Sequence, residues 1–219
     1  MIQHVWERSR ESRYLGRVLI ATDSREIAAA ARSFGADVAM TRPDHTSGTD
    51  RVAEAASATD AQIIVNIQGD EPLIDPASID AALLALLDDP GCEMATLKKR
   101  ITDLDDIGNP NVVKVVTALN GDAIYFSRSP IPFDRGSGAV YWKHIGLYVF
   151  RRALLLSYSG LARGPLEESE KLEQLRALEN GIPIRVAETD SDTIGVDTPD
   201  DLAAVERLFS LSEQNNRNG

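Results

Sequence analysis

The chain has 219 residues, 43% hydrophobic and 26% charged, proportions that exclude low-complexity and collagen-like classes. Thirty-four acidic residues outweigh 23 basic ones, giving a net charge of -11, which argues against a general binder of nucleic acid or of an anionic membrane surface. Cys92 is the single cysteine, so no internal disulfide can form, and with no signal-peptide core and no apolar run near the roughly 18 residues of a membrane span the expected location is cytoplasmic.

Val18 to Thr22 is an apolar β-branched run and reads as a strand. The helix that follows, Arg25 to Phe34, places Ile27, Ala30, Ala31 and Phe34 on one face and ends at Gly35. Ala36 to Met40 reads as a second strand and Asp50 to Ser57 as a short helix. Ile63 to Ile67 is nearly all apolar, as in a strand covered on both faces. Asp75 is placed to cap a helix with Pro76 in its first turn, and Ile79, Ala82, Leu83, Leu86 and Leu87 follow at helical spacing. The second half holds strands near Val112–Thr117, Ala123–Ser127 and Tyr141–Phe150, the first two joined by a hairpin at Asn120-Gly121. A long helix is expected from Leu166 to Asn180, and a last one starts at the Thr-Pro-Asp-Asp string from Thr198. The order implies an α/β protein with a mixed, mostly parallel sheet flanked by helices, a Rossmann-like three-layer fold. One domain is expected over residues 1–210, with a polar tail at 211–219.

The common dinucleotide, P-loop, zinc-protease and nucleophile-elbow fingerprints are absent. Carboxylates, a few cations and hydroxyls remain, the groups used in magnesium-assisted phosphoryl or nucleotidyl transfer. Gln68-Gly69-Asp70-Glu71-Pro72 follows the most apolar strand, where ligands of open α/β sheets bind; Asp70 there is either part of a plain turn or a ligand for a hard cation. Asp197 precedes a helix start and is either a solvated acid or a second magnesium ligand facing Asp70. Strand alternation puts His144, Gly146 and Tyr148 on one face, a recess between two polar-tipped rings, and Ile145, Leu147 and Val149 on the other. Arg128 sits at a strand end before Pro130, suited to bidentate capture of a carboxylate or phosphate, or else lies free on the surface. Thr41 to Arg51 offers hydroxyls and a glycine before a helix, which serve a base or phosphate as well as they serve a loop.

Taken together, Ala21-Thr-Asp23, Ser47-Gly-Thr-Asp-Arg51, Val65-Asn-Ile-Gln-Gly-Asp-Glu-Pro72, Asn111-Val-Val-Lys-Val-Val116, Tyr125-Phe-Ser-Arg128, His144-Ile-Gly-Leu-Tyr148, Leu172-Glu-Gln-Leu-Arg176 and Gly195-Val-Asp-Thr-Pro199 resemble the 3-deoxy-manno-octulosonate cytidylyltransferases over nearly the whole chain. The resemblance implies a nucleotide-diphospho-sugar-transferase-like fold, a homodimer, and the reaction of CTP with 3-deoxy-manno-octulosonate (Kdo) to give CMP-Kdo and diphosphate for lipopolysaccharide assembly. It implies Mg2+ held by Asp70 and Asp197, and a sugar-acid site lined by Gln68, Arg128, His144, Tyr148, Glu173 and Gln174. Ser47, Gly48 and Thr49 would lie near the cytidine, with Arg42, Lys98 and Lys114 as candidate cations for the triphosphate.

The family pattern opens with a buried strand and a loop of the type Arg-x-x-Ser-x-Arg-Leu-Pro-Gly-Lys. Neither has a counterpart here, since Met1 to Val5 aligns with the start of the helix after that loop. The expectation is unpaired strand edges and impaired activity for the chain as written. The alternatives are a cytidylyltransferase for another sugar acid, or a non-catalytic paralogue that binds ligand or dimerises.

Overall fold

A computed structural model describes the backbone of residues 1–136, 138–193, 195–196 and 198–217, and side chains through residue 209 outside those gaps. Helix α1 (Ile2–Ser9) opens the chain and buries Val5 and Trp6. Strands β1 (Leu19–Thr22) and β2 (Asp37–Met40) pair in parallel as a two-stranded sheet, joined by α2 (Arg25–Ser33). Ser24 caps α2 by accepting from the Ile27 N–H, and this sets the helix phase. The buried face is Ala28 and Ala31, whereas Ile27 is 43% exposed, a correction to the face expected from spacing.

The main sheet has six strands. β3 (Ile63–Asn66), β4 (Met94–Arg100), β5 (Lys114–Thr117) and β8 (Ile184–Glu188) run one way, and β6 (Ala123–Ser127) and β7 (Trp142–Arg151) run the other. Its order is β6-β5-β7-β4-β8, with β3 also on β7. Most strands are therefore parallel in direction, as expected. Because β7 is inserted among them, β3, β4 and β5 all pair antiparallel to it, and β4–β8 is the parallel pair within this sheet. Strands β4 and β8 were not anticipated from sequence.

Two cores cover the two faces. On one, α4 (Pro76–Leu87) lays Ile79, Leu83 and Leu86 on Leu97, Ile145, Leu147 and Val149. Each such side chain, fully buried, contributes about 1.5–3 kcal/mol. Asp75 caps α4 through the Ala77 N–H as expected, but Leu87 is 44% exposed and leaves the apolar face. On the other face α3 (Gly48–Ser57), α6 (Arg152–Ser157), α7 (Pro165–Glu170) and α8 (Leu175–Glu179) enclose Phe126, Phe150, Leu155, Tyr158 and Leu175. A short α5 (Asp105–Gly108) links β4 to β5.

The single long helix expected from Leu166 to Asn180 is instead α7 and α8. Lys171 takes a left-handed conformation, φ 53°, and turns the chain between them. The bend lets Arg176 pair with Glu167 in the interior. Gly121, at φ 88°, makes the expected hairpin between β5 and β6. The last helix, α9 (Pro199–Arg217), starts on a reciprocal cap: the Thr198 hydroxyl accepts from Asp201 N–H, and the Asp201 carboxylate accepts from Thr198 N–H. Its backbone continues through the segment expected to be a separate tail from 211.

Candidate active site

The register of β7 defines the site. One edge of β7 is taken by β4 along its length. On the other edge β3 pairs with residues 148–151 and β5 starts opposite Lys143. Between them, opposite Ile145 to Leu147, no strand among the described residues pairs with this edge: a notch where β3 ends and β5 begins. The Gln68-Gly69-Asp70-Glu71 turn leaves β3 at this notch, and the chain before β5 closes its far side, with His144 N–H donating to Val113 carbonyl at 2.8 Å.

His144 and Tyr148 project to the same face, as alternation required, with ring centroids 5.4 Å apart across Gly146. The Thr96 hydroxyl lies 2.8 Å from the Leu147 carbonyl and 3.2 Å from the Ile145 carbonyl, both of which only accept, so its proton goes to that pair. His144 Nε2–H then donates to Thr96 Oγ1 at 2.9 Å, leaving Nδ1 as an acceptor. Burial pushes the His144 pKa down to about 3, so the ring is neutral, and burial pushes the Tyr148 phenol well up.

The Glu71 carboxyl overlies Gly146, where a methyl group would meet Oε1 at 3.7 Å. Burial first, and the neighbouring Asp70 charge second, push Glu71 up to about 7. Among the described residues the Asp70 carboxylate has no side-chain hydrogen bond or ion pair. Its backbone carbonyl accepts from Val196 N–H at 2.9 Å, which brings the chain before Asp197 to Asp70. Asp197 itself lies outside the described residues.

The α3 start joins the same region. Gln68 packs its amide over Gly48, where a methyl group would lie 3.5 Å from Oε1. Ser47 caps α3 by accepting from Asp50 N–H and donates to Glu173 Oε1 at 3.1 Å. Thr49 donates to Glu173 Oε2 at 3.0 Å. The hydroxyls expected near a cytidine and the acid expected near the sugar are thus bonded to each other. Burial raises the Glu173 pKa despite these bonds. Gln174, next in the chain, is buried at the start of α8.

Arg128 lies where β6 ends. Its Nε donates to Glu170 carbonyl at 2.8 Å and its Nη1 to Pro110 carbonyl at 3.0 Å, so it is anchored rather than free on the surface. Arg42 is exposed beside Asp44 and Glu54. It faces a surface cavity of about 500 Å3 whose lining includes none of Gln68, Asp70, Arg128 or His144. The two lysines expected as triphosphate cations are committed elsewhere. Lys98 is 7% exposed, donates to Thr117 and stacks over Trp142. Lys114 is fully buried on three backbone carbonyls and cannot reach a phosphate. Sequence reasoning did not single out Thr96 or Glu170. Their side chains act through bonds between segments distant in sequence, which no local spacing encodes. Glu71 was visible as part of the acidic turn.

An acidic turn at the carboxyl end of a strand, a helix start lined with hydroxyls and an anchored arginine are the furniture of a nucleotidyltransferase, and a cytidylyltransferase family model matches residues 1–188. The chain is 64% identical over 214 residues to the 3-deoxy-manno-octulosonate cytidylyltransferase of Solibacter usitatus, covering 97% of this chain and 85% of that one. It is 54% identical over 221 residues to the enzyme of that name from Pelobacter propionicus, covering 95% and 87%. A solved CMP:2-keto-3-deoxy-manno-octonic acid synthetase complexed with CTP superposes with TM-score 0.90 at 42% identity, covering 98% of this chain and 88% of that one. An inositol-1-phosphate CTP transferase from T. maritima, at 14% identity and TM-score 0.65, shares the fold. The chain belongs to the 3-deoxy-manno-octulosonate cytidylyltransferase family.

Proposed function

We propose that this protein transfers a cytidylyl group from CTP to Kdo, forming CMP-Kdo and diphosphate for lipopolysaccharide biosynthesis. The 64% identity to a relative of that name, over 97% of the chain, carries the reading. The notch on β7 supports it. The anomeric hydroxyl of the sugar attacks the α-phosphorus in line, and diphosphate leaves. The chain's part is to bind and orient the two reactants. In this reading Arg128 pairs with the sugar carboxylate through the guanidinium edge left free by Glu170 and Pro110. His144 Nδ1 accepts a sugar hydroxyl, while Gln68, Tyr148, Glu173 and Gln174 read the others. Ser47, Gly48 and Thr49 line the cytidine side, with Arg42 at its periphery.

The donor set suits Mg2+: Asp70 has no cation partner among the described residues and sits beside a second carboxyl, and magnesium takes one or two carboxylates with substrate phosphates. Asp70 and Asp197 would hold it, and the ion supplies charge neutralisation at the phosphates. A homodimer in the cytoplasm belongs to the same reading. Leu119 and the exposed Ile124 of edge strand β6 are apolar surface that a second copy could cover. No helix among the described residues is long and apolar enough to cross a membrane.

The test is diphosphate release from CTP with Kdo and Mg2+. Release is expected to need both substrates, to stop with EDTA, and to fall at least about a hundredfold in Asp70→Asn, several kcal/mol of lost charge stabilisation. No release with Kdo, or equal release with neuraminate, overturns the assignment.

A further inference from the structure

Lys114 poses a physical question. It is 0% exposed, and burying an ammonium costs several kcal/mol unless every proton finds an acceptor. Every proton does: Nζ donates to the carbonyls of Asn109 at 2.9 Å, Val112 at 2.6 Å and Arg128 at 2.7 Å. None of the three acceptors is a carboxylate. The charge is spent on holding main chain, at the place where β5 begins, β6 ends and β7 is open.

What it holds is specific. One bond fixes the backbone from which the Arg128 side chain departs. The other two bracket Pro110, whose carbonyl accepts from Arg128 Nη1. Lys114 therefore fixes both the origin of that side chain and the acceptor at its tip. Glu170 completes the clamp. Its carboxylate accepts from Arg128 N–H at 2.9 Å and from Ser127 hydroxyl at 2.6 Å, and its carbonyl accepts from Arg128 Nε. No acceptor among the described residues is bonded to Nη2, so the guanidinium keeps one edge for a ligand.

We propose that Lys114 is the positioning residue of the sugar-acid subsite, fixing Arg128 and the turn of residues 109–112 so that the free guanidinium edge meets the substrate carboxylate. This rests on the reading of Arg128 given above. Lys114 touches no substrate; it acts through Arg128.

The experiment compares Arg128→Ala, Lys114→Met and the double variant. Each single variant is expected to raise KM for Kdo roughly ten- to a hundredfold, the loss of one charge-assisted contact, with KM for CTP within about twofold. The double variant is expected to be no worse than Arg128→Ala alone, because both changes remove one interaction. If Arg128→Ala raises KM for Kdo while Lys114→Met does not, or if the two effects multiply in the double variant, the inference fails. A Lys114→Met defect shared equally by CTP and Kdo also overturns it. If Arg128→Ala leaves KM unchanged, the reading of Arg128 fails instead, and proton exchange at Arg128 Nε–H then decides about Lys114. A signal protected in the parent and lost in Lys114→Met upholds positioning; a signal retained overturns it. Should Lys114→Met not fold, Lys114→Gln, which keeps two donors, is read in the same way. If neither folds, Lys114 is purely structural and the inference falls.

Discussion

Replacing Arg176 with Met strands a carboxylate in the interior. Arg176 donates to both oxygens of Glu167, at 2.9 and 2.6 Å, with side chains only 3% and 10% exposed. The same guanidinium stacks over Tyr158 at 5.2 Å and lies 3.7 Å from Glu173. Methionine keeps most of the stem's packing, so the main loss is electrostatic. Breaking a buried pair by removing one partner costs about 3–5 kcal/mol, because the remaining charge has neither water nor a counter-ion. For a chain of this size each kcal/mol moves Tm by about 2–4 °C, so Arg176→Met is expected to melt roughly 6–20 °C lower. The double variant Arg176→Met/Glu167→Gln is expected to recover a large part of that loss, since no charge is left buried. Differential scanning calorimetry at pH 7 with urea titrations measures both. A single variant within about 1 kcal/mol of the parent, or a double variant as unstable as the sum of its singles, would refute the argument that this pair holds the α7–α8 bend.

Two further outcomes follow from the site. The native chain holds His144 neutral down to about 3, whereas the unfolded chain protonates it near 6.5, so stability drains away as pH falls between those values, by up to roughly 1.4 kcal/mol per pH unit. His144→Gln is expected to flatten the decline of Tm between pH 7 and pH 5, and an unchanged slope would assign the acid sensitivity to other groups. Ser47→Ala removes both the α3 cap and a bond to Glu173, and urea unfolding is expected to show a loss of about 1 kcal/mol; a loss below a few tenths would mean the cap is replaced by water.

Much of the fold was legible because it follows from local signals. Asp75-Pro76 and Thr198-Pro199 mark helix starts, Asn120-Gly121 marks a hairpin, and alternation along β7 separates His144 and Tyr148 from the core residues Ile145, Leu147 and Val149. Signals that need a tertiary partner were not legible. The β4 strand reads Met-Ala-Thr-Leu-Lys-Lys-Arg, with little β-branched character and three cations, and it is a strand because it is flanked by β7 and β8. Strand β8 did carry alternation, Ile184 and Val186 against Arg185 and Ala187, but only five residues of it. Nothing at Lys171 announces a break, since it is neither glycine nor proline and its neighbours Glu170, Leu172, Glu173 and Gln174 are good helix formers. The bend exists because Glu167 and Arg176 meet inside. Around the β7 notch, the sequence motifs picked out Gln68, Asp70, His144 and Tyr148, which the fold brings near one another, but not the side chains that support them. Arg128 reads from its string, whereas Lys114 and Glu170 become meaningful only once β5, β6 and α7 are side by side.

The strand that carries the notch also draws its partners from afar. Residues 148–151 pair with 63–66, and 142–150 with 94–100, so dozens of residues of chain must be closed into loops before β7 has a neighbour from either. Contacts of such long separation are late and slow to form. No fragment ending before Trp142 can hold the recess between His144 and Tyr148, and no partly folded chain lacking β7 has one. On the proposed placement of the sugar acid in this recess, binding requires the completed sheet, so a bound sugar acid would protect the whole sheet from opening rather than one loop of it.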